Sequence, residues 1–556
     1  MKLKKVLIAG VTIALGSFAL VGCSSSSSSS SKTKETTSNN ANSVLRISEK
    51  DVISTMDSSL ATDTISSQNL NNVMDGLYRY KGKTIAPAIA TKVVKPTNNG
   101  LTYTFPLRKD AKWSNGDPVT ANDFVFAWKR TVNPETKSQY AYIYEGIANA
   151  KDITAGKKPV DSLGVKAIDD HTFEVTLEKP IPYFSQLMSA AFFFPQNEKT
   201  VNKWGKQYGT NSDTLVFNGP YKLVNWKGSD NSWTEEKNDS YWNAKSVNVK
   251  KIQYQVVKDP TTAVNLYQSN KLDRALLTGD TAKQMKGSDG YGITKKSSTF
   301  YLSANQQKNE IFKNANVRRA LSMSVNRKQL TSKVLGDGST VNNSIVASNI
   351  AFDPNDKTKD FVKETSSTGD KYTKYDPAEA KKLWEKGLKE TGNTGKTFNL
   401  VLLGDDTDNA KKQSEFLQNQ LEKLPGLKLT LSNVPFKSRL TRAKSGDFDL
   451  VVYAWNADFP DPINFLTLVT KDSSYNVGKW ENEKFDALVD KSLTDDANNP
   501  TKRWKDMMDA QDILNEEQGV APLYQLGEAW MTNKRVKNMT LNPGSMYDMN
   551  LVELKD

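Results

Sequence analysis

The segment FNLVLLGDDTDNAKKQSEFLQNQLEKLPGLKLTLSNVPFKSRLTRAKSGDFDLVVYAW, residues 398–455, decides the fold class. FNLVLL (398–403) is apolar enough for a buried strand, and Ala410 to Leu424 carries a helical period. LKLTLSNV (427–434) alternates like a strand, Lys437 to Lys444 reads as a second helix, and DLVVYAW (449–455) as another buried strand. Strand and helix in alternation predict an α/β fold, a mostly parallel sheet with helices on both faces. Ligands of such sheets settle beyond the carboxyl ends of the strands. Asp458 lies just past one such end, in YAWNADFPDP (453–462), between the aromatics Trp455 and Phe459. Asp461 before Pro462 is explained as a helix cap with a first-turn proline; Asp458 has no such explanation. A carboxylate among aromatic rings suits an organic ammonium, to which it offers a counter-charge while the rings offer a cation–π wall. The competing reading is a loop aspartate turned to water.

Upstream of this segment the helical spacing runs from Val317 to Leu335. Asp376-Pro377-Ala378-Glu379 sets an N-cap, a first-turn proline and an acid at the third helical position, so a helix is expected to about Glu390, stopping at Gly392. Before about residue 300 the chain reads differently. Val44 to Ile47 and TYTFPLR (102–108) are strands, SNGDP (114–118) is a turn, and Thr120 with Asp123 opens a helix through Arg130. VKAIDDHTFEVTL (165–177) reads as a hairpin around Asp169-Asp170, KKIQYQVV (250–257) as a strand and Thr261 to Asn270 as a helix.

The chain has 556 residues, too many for one simple core, which suggests about two to four domains. The net charge of +12 comes from 75 basic residues, of which only 12 are arginine, and the lysines are scattered. A nucleic-acid site would cluster its cations and favour arginine for bidentate contacts, so a solvated lysine-rich surface is the reading and no nucleic-acid partner is expected. Lys2, Lys4 and Lys5 precede an apolar stretch from Val6 to Val21, shorter than the ~20 residues that span a bilayer. Leu20-Val21-Gly22-Cys23 follows, then eight serines, Ser24 to Ser31. Small residues before a cut fit a signal peptide over residues 1–22, and the one cysteine of the chain stands at the cut. Residues 24–43, rich in Ser, Thr, Asn and Lys, bury too little to fold and read as a tether.

One cysteine and one histidine, His171 beside the hairpin turn, exclude Cys/His zinc sites and triads that need a histidine base. No phosphate-cradling glycine loop precedes a helix. DDTD (405–408) lacks the glycine and terminal glutamate of a calcium loop and reads as a helix start or a solvated loop. No metal and no cofactor is expected. Carboxylate-pair hydrolysis stays open in principle, with no pair singled out.

Seven stretches together, TYTFPLRKDAKWSNGDPVTANDFVFAWKR (102–130), FNGPYKLVNW (217–226), KNDSYWN (237–243), NANVRRALSMSVNR (314–327), YDPAEAKKLWEKG (375–387), WNADFPDPINF (455–465) and APLYQL (521–526), resemble the oligopeptide-binding lipoproteins of bacterial ABC importers. The Leu20–Cys23 stretch likewise resembles a bacterial lipobox, which implies lipid on Cys23 and a membrane anchor. The resemblance runs from about residue 44 to the end. It implies a two-lobed, periplasmic-binding-protein-like clamshell of three structural domains, with mixed or parallel sheets flanked by helices. Domain I would comprise residues 44–74, 211–299 and 526–556, domain II residues 75–210, and domain III residues 300–525, after a lipidated tether at 23–43. It implies a monomer without enzymatic activity that captures oligopeptide between its lobes and hands it to a membrane permease with its ATPases. The location implied is the extracellular face of the cell membrane, and the poly-serine tether and lysine-rich surface suggest a Gram-positive surface over a periplasm. Within the motif, Asp458 would pair with the peptide α-ammonium, with Trp455 and Asn456 beside it. Tyr140, in SQYAY, would face the ligand from the opposite lobe, and Asn476 or Tyr475, in SSYN, would also touch it. Arg442 and Lys444 lie near in sequence but in no motif that would assign them to the ligand carboxylate, so peptide length preference stays open. A receptor for signalling peptides on the same scaffold is the alternative, and a secreted carboxylate-dependent hydrolase a more distant one.

Overall fold

The computed structural model describes residues 43–82 and 84–555; Cys23, the signal segment and nearly all of the tether lie outside the described residues. Among the described residues, eleven strands join one mixed sheet. One half holds the segment that decided the fold class: Leu427–Val434 pairs in parallel with Phe398–Asp405, which pairs in parallel with Leu450–Asn456. Helices Asp408–Leu421 and Phe436–Ser445 connect them, as the alternation predicted. The other half is built around Val44–Glu49, parallel to Lys251–Val256 and Arg274–Leu277, and ends in the antiparallel strands Ser232–Lys237 and Tyr221–Val224.

Two long antiparallel strands join the halves. Tyr291–Ala304 pairs with Leu450–Asn456 on one side and with Ala521–Thr532 on the other, and Ala521–Thr532 continues to Arg274–Leu277. Their register shifts between Lys295 and Thr299, so residues 296–298 bulge at the crossing. A bulge bends and twists a strand locally, and here it aims Lys296 and Ser298 at the space between the halves. A smaller antiparallel sheet, Thr102–Pro106, Thr172–Thr176 and Val165–Asp169, packs with the helix Ala121–Val132 around Phe105, Phe124, Trp128 and Phe173. The helix starts on the expected capping box, Thr120 with Asp123.

The helix Pro377–Glu390 begins on the Asp376 cap and stops before Gly392, whose φ of 68° glycine tolerates at no steric cost. The long helix expected from Val317 to Leu335 is broken. Ala315–Met323 ends, Asn326 caps a new turn at Arg327–Gln329, and Leu330–Leu335 closes as a π-turn. The cause is Arg327, whose buried guanidinium donates to the carbonyls of Ser322, Thr373 and Pro522 at 2.9, 2.7 and 2.6 Å. Apolar spacing persists because Val325, Leu330 and Leu335 remain in the core on both sides of the break. No helix of the described residues is long and apolar enough to cross a membrane.

Candidate ligand-binding site

Strand Leu450–Asn456 alternates buried and half-buried side chains, so Tyr453 and Trp455 share one face. The backbone is held to its neighbour to the end, with Ala457 N–H donating to the Ser297 carbonyl at 2.8 Å. Asp458 follows at the mouth of a cavity of about 310 Å³ between the two halves of the sheet.

Asn464, 2% exposed, organises this corner. Its carboxamide oxygen accepts from Trp455 Nε1 and from the Asp458 N–H, both at 3.0 Å, and its amide donates to Asp458 Oδ2 at 3.4 Å. Ring and carboxylate are thus oriented by one residue. Asn464 lies within the WNADFPDPINF stretch, six residues past Asp458, and that spacing is the only sequence signal of its place on the same loop.

From the far side of the cavity the Tyr140 hydroxyl donates to both Asp458 oxygens, at 3.1 and 3.3 Å. Tyr140 itself stacks on Phe192, centroids 4.3 Å apart. Tyr475 meets Trp455 edge-on at 4.6 Å and stands 6.0 Å from Tyr140. Tyr140, Trp455 and Tyr475 therefore wall the carboxylate. The buried Tyr475 hydroxyl has no hydrogen-bond partner among the described residues. Phe459, expected as the second wall, turns the other way and stacks on Tyr183 at 4.4 Å and 9°. One residue past Asp458 the loop has reversed its side-chain direction.

Asn456 lines the cavity. Its Oδ1 accepts from the Ser298 hydroxyl at 2.7 Å and its amide donates to the Gly544 carbonyl at 2.8 Å, tying the strand to the C-terminal loop. Asn476 is not brought to the cavity. It is 3% exposed, its amide donates to the Thr470 and Trp480 carbonyls at 3.2 and 2.7 Å, and its oxygen accepts from the Trp480 N–H. Of the two rival positions, the structure turns Tyr475 inward. Arg442 is engaged by Asp447 and Ser432, whereas Lys444 lines the cavity at an exposed rim. Asp461 accepts from the Ile463 N–H, as a cap should, and is also clamped by both terminal nitrogens of Arg503 at 2.8 Å.

No lysine or arginine of the described residues pairs with Asp458. Burial pushes its carboxyl up to about 7, with the Asn464 and Tyr140 hydrogen bonds pulling the other way. Burial, and then the Asp458 charge, raise the Tyr140 hydroxyl well above its ordinary value, so it stays a donor. A buried carboxylate with aromatic walls and no resident cation has the chemistry to hold an organic ammonium. Among the described residues no group of three or more His, Cys, Asp or Glu is arranged to hold a metal.

The family model of the bacterial extracellular solute-binding proteins, family 5 Middle, matches residues 84–476. The dipeptide-binding protein of Lactococcus lactis subsp. cremoris (strain MG1363) is 35% identical over 571 aligned residues, covering 100% of both chains. The structure of Listeria monocytogenes OppA bound to peptide matches with a TM-score of 0.87 at 40% identity, over 92% of this chain and 99% of that one. The pheromone receptor PrgZ matches with a TM-score of 0.86 at 36% identity, over 92% and 100%.

Proposed function

The chain belongs to the bacterial extracellular solute-binding proteins of family 5, and from that premise we propose that it captures oligopeptides in the cavity between two lobes and delivers them to an ABC permease and its ATPases for import. The observation that carries this reading is Asp458, a carboxylate without a cation among the described residues, lining the cavity and walled by Tyr140, Trp455 and Tyr475. All free peptides share an α-ammonium and a backbone. A receptor that pins the first and leaves side chains room accepts many sequences. Enclosure makes the pair consequential, because removing one partner of a buried ion pair costs about 3–5 kcal/mol.

In this reading the first lobe is formed by domain I (44–74, 211–299 and 526–556) with domain II (75–210), and the second lobe by domain III (300–525). The two long strands that join the halves of the sheet are the hinge. Closure over the ligand presents a different outer surface to the permease. The protein works as a monomer at the extracellular face, held by lipid on Cys23 and a serine-rich tether on a Gram-positive surface, and it catalyses nothing. The likeness to the pheromone receptor PrgZ supports signalling peptides as a second ligand class on the same cavity.

The test is calorimetry on protein unfolded, stripped of ligand and refolded, against a pool of short peptides and the same pool N-acetylated, with Asp458→Ala alongside. Free-amine peptides are expected to bind, and both acetylation and the substitution to weaken them by orders of magnitude. Equal binding of both pools leaves a peptide receptor without the ammonium contact. Binding of neither pool overturns the peptide reading.

A further inference from the structure

Resting on the peptide reading above, we propose that the cavity contains a second cation subsite, centred on Asp337, which receives the basic side chain of a ligand lysine or arginine. Asp337 sits in the loop between the π-turn Leu330–Leu335 and strand Thr340–Val341, lines the cavity and is 3% exposed. Its Oδ1 accepts from the Ser339 N–H at 3.0 Å, the Ser339 hydroxyl also bonds the carboxylate, and no lysine or arginine of the described residues pairs with it.

Three other carboxylates of the cavity are ion-paired. Asp405 holds Arg439 at 2.9 Å, Asp51 faces Lys258 at 3.5 Å, and Glu528 faces Lys296 at 3.7 Å. Asp63 caps the helix Thr64–Val73 through the Ser66 N–H, and Glu49 accepts from the Lys50 N–H and lies in the field of Lys50 and Lys296. Of the four cavity carboxylates without an ion pair among the described residues, Asp63 caps a helix and Glu49 lies in the field of two lysines, which leaves Asp337 and Asp458 as the candidates to take a cation.

The surroundings of Asp337 point to a ligand independently. The helix Asp408–Leu421 turns Asn409 and Gln413, one turn apart, toward the same cavity. Asn409 Oδ1 and Gln413 Nε2 are both buried and unpartnered, while Gln413 Oε1 accepts from the Tyr524 hydroxyl at 3.0 Å. Tyr524 pairs with Val341, on the short strand that follows the Asp337 loop, while its hydroxyl holds Gln413. Buried polar atoms without partners are rare in folded proteins, and those of Asn409 and Gln413 line the same cavity as the Asp337 carboxylate, open to a ligand there. Phe300 stacks on Tyr524 at 4.7 Å, and with Leu526 gives an apolar lane for the methylenes that carry an ammonium or guanidinium. A carboxylate ligand would meet one free donor here and the Asp337 charge; a cation meets acceptors.

Asp458 pins the peptide N-terminus, so the second subsite must read one fixed position along the ligand. The experiment is calorimetry on the refolded full chain with alanine peptides carrying a single lysine moved along the sequence, each against its norleucine counterpart, on wild type, Asp337→Asn, Asn409→Leu and Asp458→Asn. One position is expected to favour lysine over norleucine by about tenfold or more, as hydrogen bonds to charged groups are worth. That preference should vanish in Asp337→Asn and shrink in Asn409→Leu. Absence of any such position in the wild-type protein overturns the subsite even if a variant fails to fold. A preference that survives Asp337→Asn and is lost in Asp458→Asn also overturns it, since the lysine then sits at Asp458. Binding of neither peptide series overturns the receptor reading itself, and the subsite with it.

Discussion

The Tyr140 hydroxyl and the Asp458 carboxylate, 318 residues apart in the chain, meet across the cavity at 3.1 Å. This hydrogen bond brings the segment that carries Tyr140 against the end of the strand Leu450–Asn456, and it occupies the carboxylate face that an ammonium would approach.

Peptide binding is expected to depend on pH through Asp458. Its carboxyl titrates at about 7 in the ligand-free protein, and an adjacent ammonium favours the ionised form. Binding below that pH must expel a proton, so Kd should weaken about tenfold per pH unit as pH falls below 7. The same raised value means that this group favours the ligand-free fold most at low pH and that the contribution is lost as pH rises from about 4 towards 7. Calorimetry in buffers of different ionisation heat counts the released proton; a pH-independent affinity between pH 5 and about 8 would sink the assignment.

Tyr140→Phe keeps the stack on Phe192 and removes a donor from Asp458. The carboxyl should then titrate higher, moving the pH profile of Kd upward and costing about 1–2 kcal/mol of peptide affinity at neutral pH. An unmoved profile would show that the hydroxyl does not tune Asp458.

Asn476 and Tyr475 should separate cleanly. Asn476→Ala leaves the Trp480 carbonyl and N–H without their Asn476 partner in a buried loop, so denaturant unfolding should show a loss of about 1–3 kcal/mol. Tyr475→Phe removes a hydroxyl that has no partner among the described residues, so stability should hold while peptide affinity falls by about 1 kcal/mol. The reverse pattern would place Asn476 on the ligand.

Gly527→Ala would put a Cβ 2.3 Å from the Gly338 carbonyl carbon and 2.6 Å from the Ser339 nitrogen, both backbone atoms. The strand Ala521–Thr532 and the loop bearing Asp337 must separate to admit it. A destabilisation of about 1–3 kcal/mol is expected in denaturant unfolding. Wild-type stability would mean that this close approach is not maintained in solution.

The sequence by itself determined the local elements and the decisive carboxylate. The capping box at Thr120, the Asp376 cap, the stop at Gly392 and the alternation over residues 398–455 are read from residues a few positions apart, because helix and strand periods are local properties. Asp458 was legible for the same reason: it follows a buried strand and no local cap explains it. Only the tertiary structure decided which rings enclose it. Phe459 is adjacent and turns away to Tyr183, whereas Tyr140 arrives from the far side of the cavity and Tyr475 from the next loop. The break at Arg327 and the unpaired state of Asp337 depend likewise on carbonyls and charges distant in the chain. Direction after a strand end, and the pairing of buried charges, are set by which surfaces close on one another, and spacing along the chain does not encode that.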